Sequence, residues 1–568
     1  MAALVLGLGL LTACSSNDVP DDGGKVATGS TYMSVAINLA TTGGAGSRAD
    51  KQEDKTGEPD NNYVGKWAGQ DKIEAIDVYV FNAAGNREAN EQFTAGQFQV
   101  QPAAGDKSVT VTPSKGIKVE AGTKTVYVVV NPTAETRAHL AAATLTEFKK
   151  QYGDVAAGTT TDGILTLANI GNATAAVKTS ADLLARVDAN KDVITMTAIE
   201  AGSVNVAENV SERATLSGDA TNRAKLTVKR AVARVMVTTT KDEFKVVGDD
   251  PLTTDRVETD AELGTVKNIR YVIAQGETSL YFMQRGGGNE NLTYRTPNSE
   301  FKPAKEAYKW DDVKTKYDYS GLWKGYVTPG ENKISGTPVP TKELYVKADK
   351  NATLGKITGD LTNALNGEFI LPNTHKWGDT QDASDYRKNN TAYVLVRAQF
   401  VPKKVVMEAD GSVNENYPAG KTFFMGANGV FYETAKAAQD ATKKGVAQQK
   451  ASEYVNGKTL YYAWINPDHT DTGKWINSPV NRNNIYHIEI SGFKRIGGNW
   501  NPLVPPVDPN KPNDPNPNNP DPKPNNPNEP NDPPVDPVDP LTPKETWMSV
   551  QTTILPWNVH SYSVVLDI

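Results

Sequence analysis

The stretch that most restricts how this chain can fold is PLVPPVDPNKPNDPNPNNPDPKPNNPNEPNDPPVDPVDPLTPKE, residues 502–545. It holds half of the chain's 34 prolines, interleaved with Asn and Asp, and no glycine. Such a tract cannot donate a regular ladder of backbone hydrogen bonds and has too few apolar side chains to close a core. Polyproline II is its expected state, and at about 3.1 Å per residue it would reach on the order of 130 Å. Its Asp content does not make an EF-hand calcium loop, which needs a glycine turn and a terminal Glu at fixed spacing. Beyond it the chain turns hydrophobic again and ends WMSVQTTILPWNVHSYSVVLDI. That is enough for about two strands, and two strands do not fold alone. The tail needs a sheet belonging to something else.

A second segment of the same pattern lies near the other end. YMSVAINL, residues 32–39, interrupts a Gly-, Asp- and Ser-rich tether over residues 15–62. Its Met33, Val35, Ile37 and Leu39 share one face of a strand, with Ser34, Ala36 and Asn38 on the other. Set against WMSVQTTI, residues 547–554, the aromatic, Met, Ser and Val agree in order, Trp547 answering Tyr32 and Ile554 answering Leu39. The sets Met33, Val35, Ile37, Leu39 and Met548, Val550, Thr552, Ile554 share one period. Either this is the chance likeness of short β segments, or both strands fit one groove, the first from within the chain and the second from a neighbour. Four buried apolar side chains contribute roughly 6–12 kcal/mol gross. Ordering a strand costs about 1–2 kcal/mol per residue, part of it offset by paired backbone groups. Two similar strands thus bind similarly, and the tethered one wins through an effective concentration on the order of millimolar. TTGGAGSRADK follows the first strand, an exposed type of sequence suited to a protease. A cut between Arg48 and Ala49 would remove the tether.

The same cut would discard the only cysteine. Residues 1–13 are apolar for about the length of a signal h-region and too short to span a membrane. Leu11, Thr12, Ala13 and Cys14 then read as a bacterial lipobox, with Cys14 the lipidated residue; the other reading is a buried cysteine in a short core segment. The run lacks the Lys or Arg of a signal n-region, which places the expected start of translation upstream of Met1. One cysteine excludes a disulfide framework and cysteine-based metal centres. The five histidines are scattered, and the net charge of −7 shows no basic footprint for nucleic acid. Metalloprotease, hydrolase-elbow and phosphate-loop sequences are absent, and His487 with Glu489 on one strand face is a common structural pair. The chain does not read as an enzyme, and no cofactor is implied.

Between the ends the pattern is mainly β. Strands are expected at residues 73–85, 123–132, 224–239, 268–274, 391–400, 429–433, 459–465 and 484–493, being β-branched and aromatic runs closed by Asn, Gly or Asn-Pro turns. Helices are expected at 134–153 and at 180–188, the latter N-capped by Ser180. Many short strands without regular helical alternation imply β-sandwiches. The expected organisation is a signal (1–14), a propeptide with the removable strand (15–48), β-rich domains at 49–220 and 221–501, an extended spacer (502–545) and C-terminal strands (546–568).

YVGKWAGQDKIE (63–74), LPNTHK (371–376), NTAYVLVRA (390–398), YYAWINP (461–467), NNIYHIEI (483–490), NWNPLVP (499–505) and ILPWNVHSY (554–562) closely resemble the Bacteroidota major-fimbrial-subunit family. Within it they are most similar to type V pilins that form the shaft of minor (short) fimbriae. The resemblance runs from the lipobox to the C-terminus. It implies two tandem transthyretin-like β-sandwich domains, export as an outer-membrane lipoprotein at Cys14, and trimming between Arg48 and Ala49 by an Arg-specific protease. It also implies polymerisation through a donor segment that includes Trp547, Met548, Val550, Thr552, Ile554, Tyr562, Val564 and Leu566. Implied partners are identical subunits, tip and anchor pilins, and host or bacterial surface receptors. Two rivals remain at this level: a glycan-binding surface lipoprotein that stacks sugars on Trp67, Trp310 or Trp323, and a tip or anchor subunit of the same pilus.

Overall fold

The computed structural model describes residues 30–39, 71–102, 109–156, 161–166, 169, 179–188, 191–217, 222–253, 260–287, 292, 294–304, 307–323, 367–469, 474–504, 507, 516, 519–521, 536–542, 548–556 and 560–561. The chain is mainly β, in two sandwich-like units, as the patterning implies.

The first unit contains β1 (Ser30–Leu39), β2 (Ala75–Asn82), β3 (Arg87–Thr94), β4 (Phe98–Pro102), β5 (Val109–Pro113), β6 (Ile117–Glu120) and β7 (Gly122–Val130). It continues with β8 (Ile164–Thr166), β9 (Ala185–Asp188), β10 (Lys191–Ile194), β11 (Met196–Ala198), β12 (Gly202–Val206) and β13 (Arg223–Arg230). Ten of them form one sheet, in the order β3-β2-β7-β11-β13-β1-β5-β4 with β12 on β7 and β6 on β1. This sheet wraps a core that includes Val35, Ile37, Val78, Tyr127, Phe148 and Tyr152.

The second unit opens with β14 (Ala233–Thr239), β15 (Phe244–Gly248) and β16 (Ala261–Ala274), followed by the short pieces β17 (Gly276–Glu277), β18 (Ser279–Tyr281), β19 (Arg285–Gly286), β20 (Tyr294–Arg295) and β21 (Tyr317–Asp318). After β22 (Glu368–Ile370) and β23 (Tyr393–Pro402) come β24 (Val405–Val406), β25 (Val413–Asn414), β26 (Phe423–Gly426), β27 (Phe431–Tyr432) and β28 (Ala451–Tyr454), which make a satellite sheet. β29 (Lys458–Trp464), β30 (Asn484–Phe493), β31 (Met548–Pro556) and β32 (His560–Ser561) complete the set. Sheets β22-β14-β30-β31-β32 and β15-β16-β23-β29 enclose a core of Val235, Tyr271, Val394, Val396, Tyr461 and Ile488. Alternation carries Val272, Leu395, Tyr462 and Trp464 to the outer face of the second of these sheets.

Local chemistry overrides the sequence reading in four places. Residues 134–153 form two helices, α1 (Ala134–His139) and α2 (Leu145–Tyr152). Thr144 separates them: its Oγ1 accepts the Glu147 amide at 3.4 Å and starts a second helix. Residues 180–188 are not an N-capped helix. Only the 3-10 turn Ala181–Leu183 forms, Ser180 makes no capping bond, and β9 pairs with β10 instead, because so short a helix is held by little and a hairpin partner is adjacent. The second unit does not start at residue 221, since β13 belongs to the first sheet and the changeover falls at Ala231 and Val232, both fully buried.

The fourth departure is the Pro-rich tract, which packs on the second unit at its described residues rather than standing off. Asp521 is fully buried, its Oδ1 3.3 Å from Lys458 Nζ and 3.4 Å from Arg397 Nη2. Asn519 donates to the Asn501 carbonyl at 2.9 Å. Further on, the carbonyls of Pro537 and Asp539 accept from the Asn389 and Lys388 amides at 3.2 and 3.0 Å, and that of Leu541 from the Ile476 amide at 3.0 Å. Proline removes donors but not acceptors, and the Asn, Asp and Leu between the prolines supply the rest. Leu541 is fully buried with Trp464 and Ile476. Leu541→Ala is therefore expected to lower stability by about 2–3 kcal/mol in thermal denaturation, where a free linker would show no change.

Candidate strand-exchange groove

β1 is an interior strand of the first sheet. On one side it runs parallel to β13, with Val35 opposite Ala224, Ile37 opposite Leu226 and Leu39 opposite Val228. On the other it is antiparallel to two strands: its first half pairs with β6, Met33 opposite Ile117, and its second with β5, Ile37 opposite Val111 and Leu39 opposite Val109. Apolar residues thus meet apolar residues in rows across three strands. Met33, Val35 and Ile37 are fully buried and Leu39 is 1% exposed, so the four residues picked out by period all face the core.

The other face of β1 is also covered. The helix α3 (Glu212–Leu216), capped by Ser211 whose Oγ accepts the Ala214 amide at 3.3 Å, lies over it. Ser34 Oγ donates to the Thr215 carbonyl at 2.8 Å, while on the Met33 side Thr31 Oγ1 accepts from the Val210 amide at 2.9 Å. Asn222 Nδ2 donates to the Tyr32 carbonyl at 3.0 Å, and Thr110 Oγ1 to Asn38 Oδ1 at 2.8 Å. Tyr32 lies against Gly116, where a built Cβ would come within 3.3 Å of its ring. Without β1 this unit would expose two unpaired strand edges and a row of core side chains, an aggregation-prone state unless another strand replaces it.

The tail strand is present too, and in this chain it lies on its own second unit. β31 is antiparallel to β30, with Met548 opposite Phe493, Val550 opposite Ile490, Thr552 opposite Ile488 and Ile554 opposite Tyr486. The four tail residues singled out by period are thus in register with core residues of β30, of which Tyr486 and Ile490 are fully buried and Ile488 is 1% exposed. β1 and β31 are not brought together: they occupy different sheets. They are nevertheless linked, because β13 beside β1 leads through two residues into β14, which runs parallel to β30.

Cys14, Arg48, Ala49, Trp547, Tyr562, Val564 and Leu566 lie outside the described residues, as does Trp67. Trp310 is a core residue, 4.9 Å from the Tyr319 ring, while Trp323 is half-exposed. Among the described residues no group of three His, Cys, Asp or Glu side chains could hold a metal ion, and no helix is long and apolar enough to cross a membrane. Periodicity did not single out Ser34, Thr215 and Arg223, the polar part of the groove; the shared Met-Ser-Val triplet was the available signal.

The first sheet is completed by β1, and a strand of like sequence, β31, lies at the far end of the chain. Residues 31–230 match the family "Major fimbrial subunit protein (FimA)", and residues 452–563 match "Major fimbrial subunit protein type IV, Fimbrillin, C-terminal". The chain is 30% identical over 569 aligned positions to the minor fimbrium subunit Mfa1 of Porphyromonas gingivalis, covering 99% of this chain and 98% of that one. This chain belongs to that family of fimbrial subunits, which are structural proteins of cell-surface fimbriae. Among solved structures it is similar to the tip fimbrial protein Mfa3 of P. gingivalis (TM-score 0.30, 10% identity, 82% of this chain and 95% of that one) and to the fimbrial anchor protein Mfa2 of P. gingivalis (TM-score 0.19, 10% identity, 64% and 77%).

Proposed function

We propose that the chain is the shaft subunit of a type V fimbria that supports adhesion and biofilm formation. It is exported as a lipoprotein through Cys14, released and activated by an Arg-specific protease between Arg48 and Ala49, and polymerised when the C-terminal strand of one subunit fills the place of β1 in the next. The observation that carries this reading is the position of β1: a strand from the segment proposed to be removed, paired between β13 and β5/β6 with its core-facing Met33, Val35, Ile37 and Leu39 buried. In the uncut chain β1 holds the groove by tethering and by fit, having Ile37 where the tail has Thr552. The tail meanwhile covers the edge of β30, which keeps that edge from pairing with other chains. Cutting removes the tether, and once β1 has left, a neighbour's tail competes for the groove.

The test uses precursor starting after Cys14, treated with an Arg-specific protease and run unheated on a denaturing gel, with Arg48→Ala and a chain ending at Glu545 as controls. A ladder only from cut, full-length protein is the expected result. Cut protein that stays monomeric would remove the donor role from the tail and favour a surface lipoprotein of another kind.

A further inference from the structure

The groove is read mostly by apolar side chains, but one polar site is built into its wall. Ser34 is 1% exposed, its Oγ donating to the Thr215 carbonyl at 2.8 Å and accepting from Arg223 Nε at 3.1 Å. The guanidinium is held in place from behind, where Nη2 donates to the carbonyls of Thr215 and Ser217 at 2.9 and 3.0 Å. The Ser34 amide donates to the Asn222 carbonyl at 3.0 Å. When β1 leaves, the half-buried Arg223 guanidinium keeps its two carbonyl partners and its Nε–H turns to water; a strand that then closes the groove without an acceptor would leave that donor unpaired, which is costly.

The tail carries a hydroxyl at the matching place: Ser549 stands in Met548-Ser549-Val550 as Ser34 stands in Met33-Ser34-Val35. Two of the other registers fail for definite reasons. A slip of one residue brings Met548 or Val550 to the Arg223 site and turns the apolar row to the wrong face. A slip of four keeps the faces and offers Thr553, but it sets Pro556 where Ile37 pairs with Leu226 and Val111 on both sides, a place closed to a residue without an N–H. We propose that Ser549 is the register-setting residue of subunit assembly, seated in the neighbouring subunit between the Thr215 carbonyl and the Arg223 guanidinium. This rests on the strand-exchange reading above and adds to it the residue that fixes the pairing.

The chain's one cysteine, Cys14, precedes the cut, so cleaved protein is a clean background for cysteine pairs. In β1, Val35 faces Ala224; the proposed register therefore puts Val550 of one subunit beside Ala224 of the next, within disulfide range. Cleaved full-length protein carrying Val550→Cys and Ala224→Cys is expected to give an oxidised ladder that survives heating. Adding Ser549→Ala should lower the cross-linked yield and speed dissociation of the uncross-linked polymer about tenfold or more, the size of a lost hydrogen bond to a charged group. Ser549→Thr should restore both. If Ser549→Ala cross-links and dissociates like its parent, or if polymers form without the cross-link between positions 550 and 224, the register proposal is overturned while strand exchange stands. If the cleaved parent forms no polymer at all, the strand-exchange reading itself has failed.

Discussion

Val35→Asp in the uncut precursor is expected to release the groove without any protease. Val35 is fully buried in the middle of β1, opposite Ala224 and two residues from Ile37. A carboxylate there is taken out of water with no cation built to meet it, at a cost on the order of 3–5 kcal/mol, or else it takes up a proton. That is comparable to the whole net hold of a short strand once ordering entropy is subtracted from its gross burial. The strand should leave, and uncut Val35→Asp protein should form ladders or aggregates on an unheated gel where the uncut parent stays monomeric. On the proposed scheme cleavage would discard the altered strand, so cut variant and cut parent should polymerise alike. This crossed pattern separates a placeholder from an ordinary core strand. If Val35→Asp damages cut protein as much as uncut, β1 is part of the permanent fold and the groove is not an exchange site.

What could be read from the sequence here followed the strength of its periodicity. β30 matches its expected extent, β1 starts two residues earlier than expected, and Met33, Val35, Ile37 and Leu39 are buried as alternation requires, because a two-residue period leaves few alternatives. The start of the second unit was misplaced because residues 224–239 read as one apolar run. The run is in fact two strands in two sheets, joined at Ala231 and Val232, and no turn residue marks the passage. The docked spacer was missed for another reason. Proline content reports on lost donors, whereas Asp521 and Leu541 are held by partners more than 60 residues away in sequence, Lys458 and Ile476 among them. Composition carries no record of such partners. The Arg223 site lies between these extremes, since the shared Met-Ser-Val triplet marks its serine but nothing local marks the arginine.

The junction that periodicity could not show supports the second large effect: Asp71→Ala is expected to destabilise the protein by about 3–5 kcal/mol and to split its unfolding into two steps. Asp71 and Arg230 are both about 1% exposed at the end of β13; Arg230 Nε lies 3.1 Å from Asp71 Oδ1, and a second bond joins Nη2 to Oδ2. Asn483 Oδ1, at the start of β30, accepts from the Arg230 amide and Nη1, each at 3.2 Å. Nearby Arg234 of β14 reaches back to Asp192 at 2.7 Å, and the buried Arg482 donates to the Phe282 carbonyl at 2.8 Å, burial lowering its guanidinium pKa to about 10. Removing the Asp71 carboxylate takes the bidentate partner from a buried guanidinium, which costs more than the pair itself contributes. Asp71→Leu combined with Arg230→Met should for that reason recover most of the loss. Urea unfolding followed by tyrosine and tryptophan fluorescence checks both statements, as a fall in midpoint for the single variant and its return in the double. The consequence for assembly follows from the chain path: β13 is the groove's parallel wall, and it continues into β14 beside β30, where the tail lies. A loosened latch frees one end of that wall, so cut Asp71→Ala protein should also form shorter ladders than the double variant. An unchanged midpoint in Asp71→Ala would mean that the two units are held by packing alone, and the wall would then need no ionic latch to present its groove.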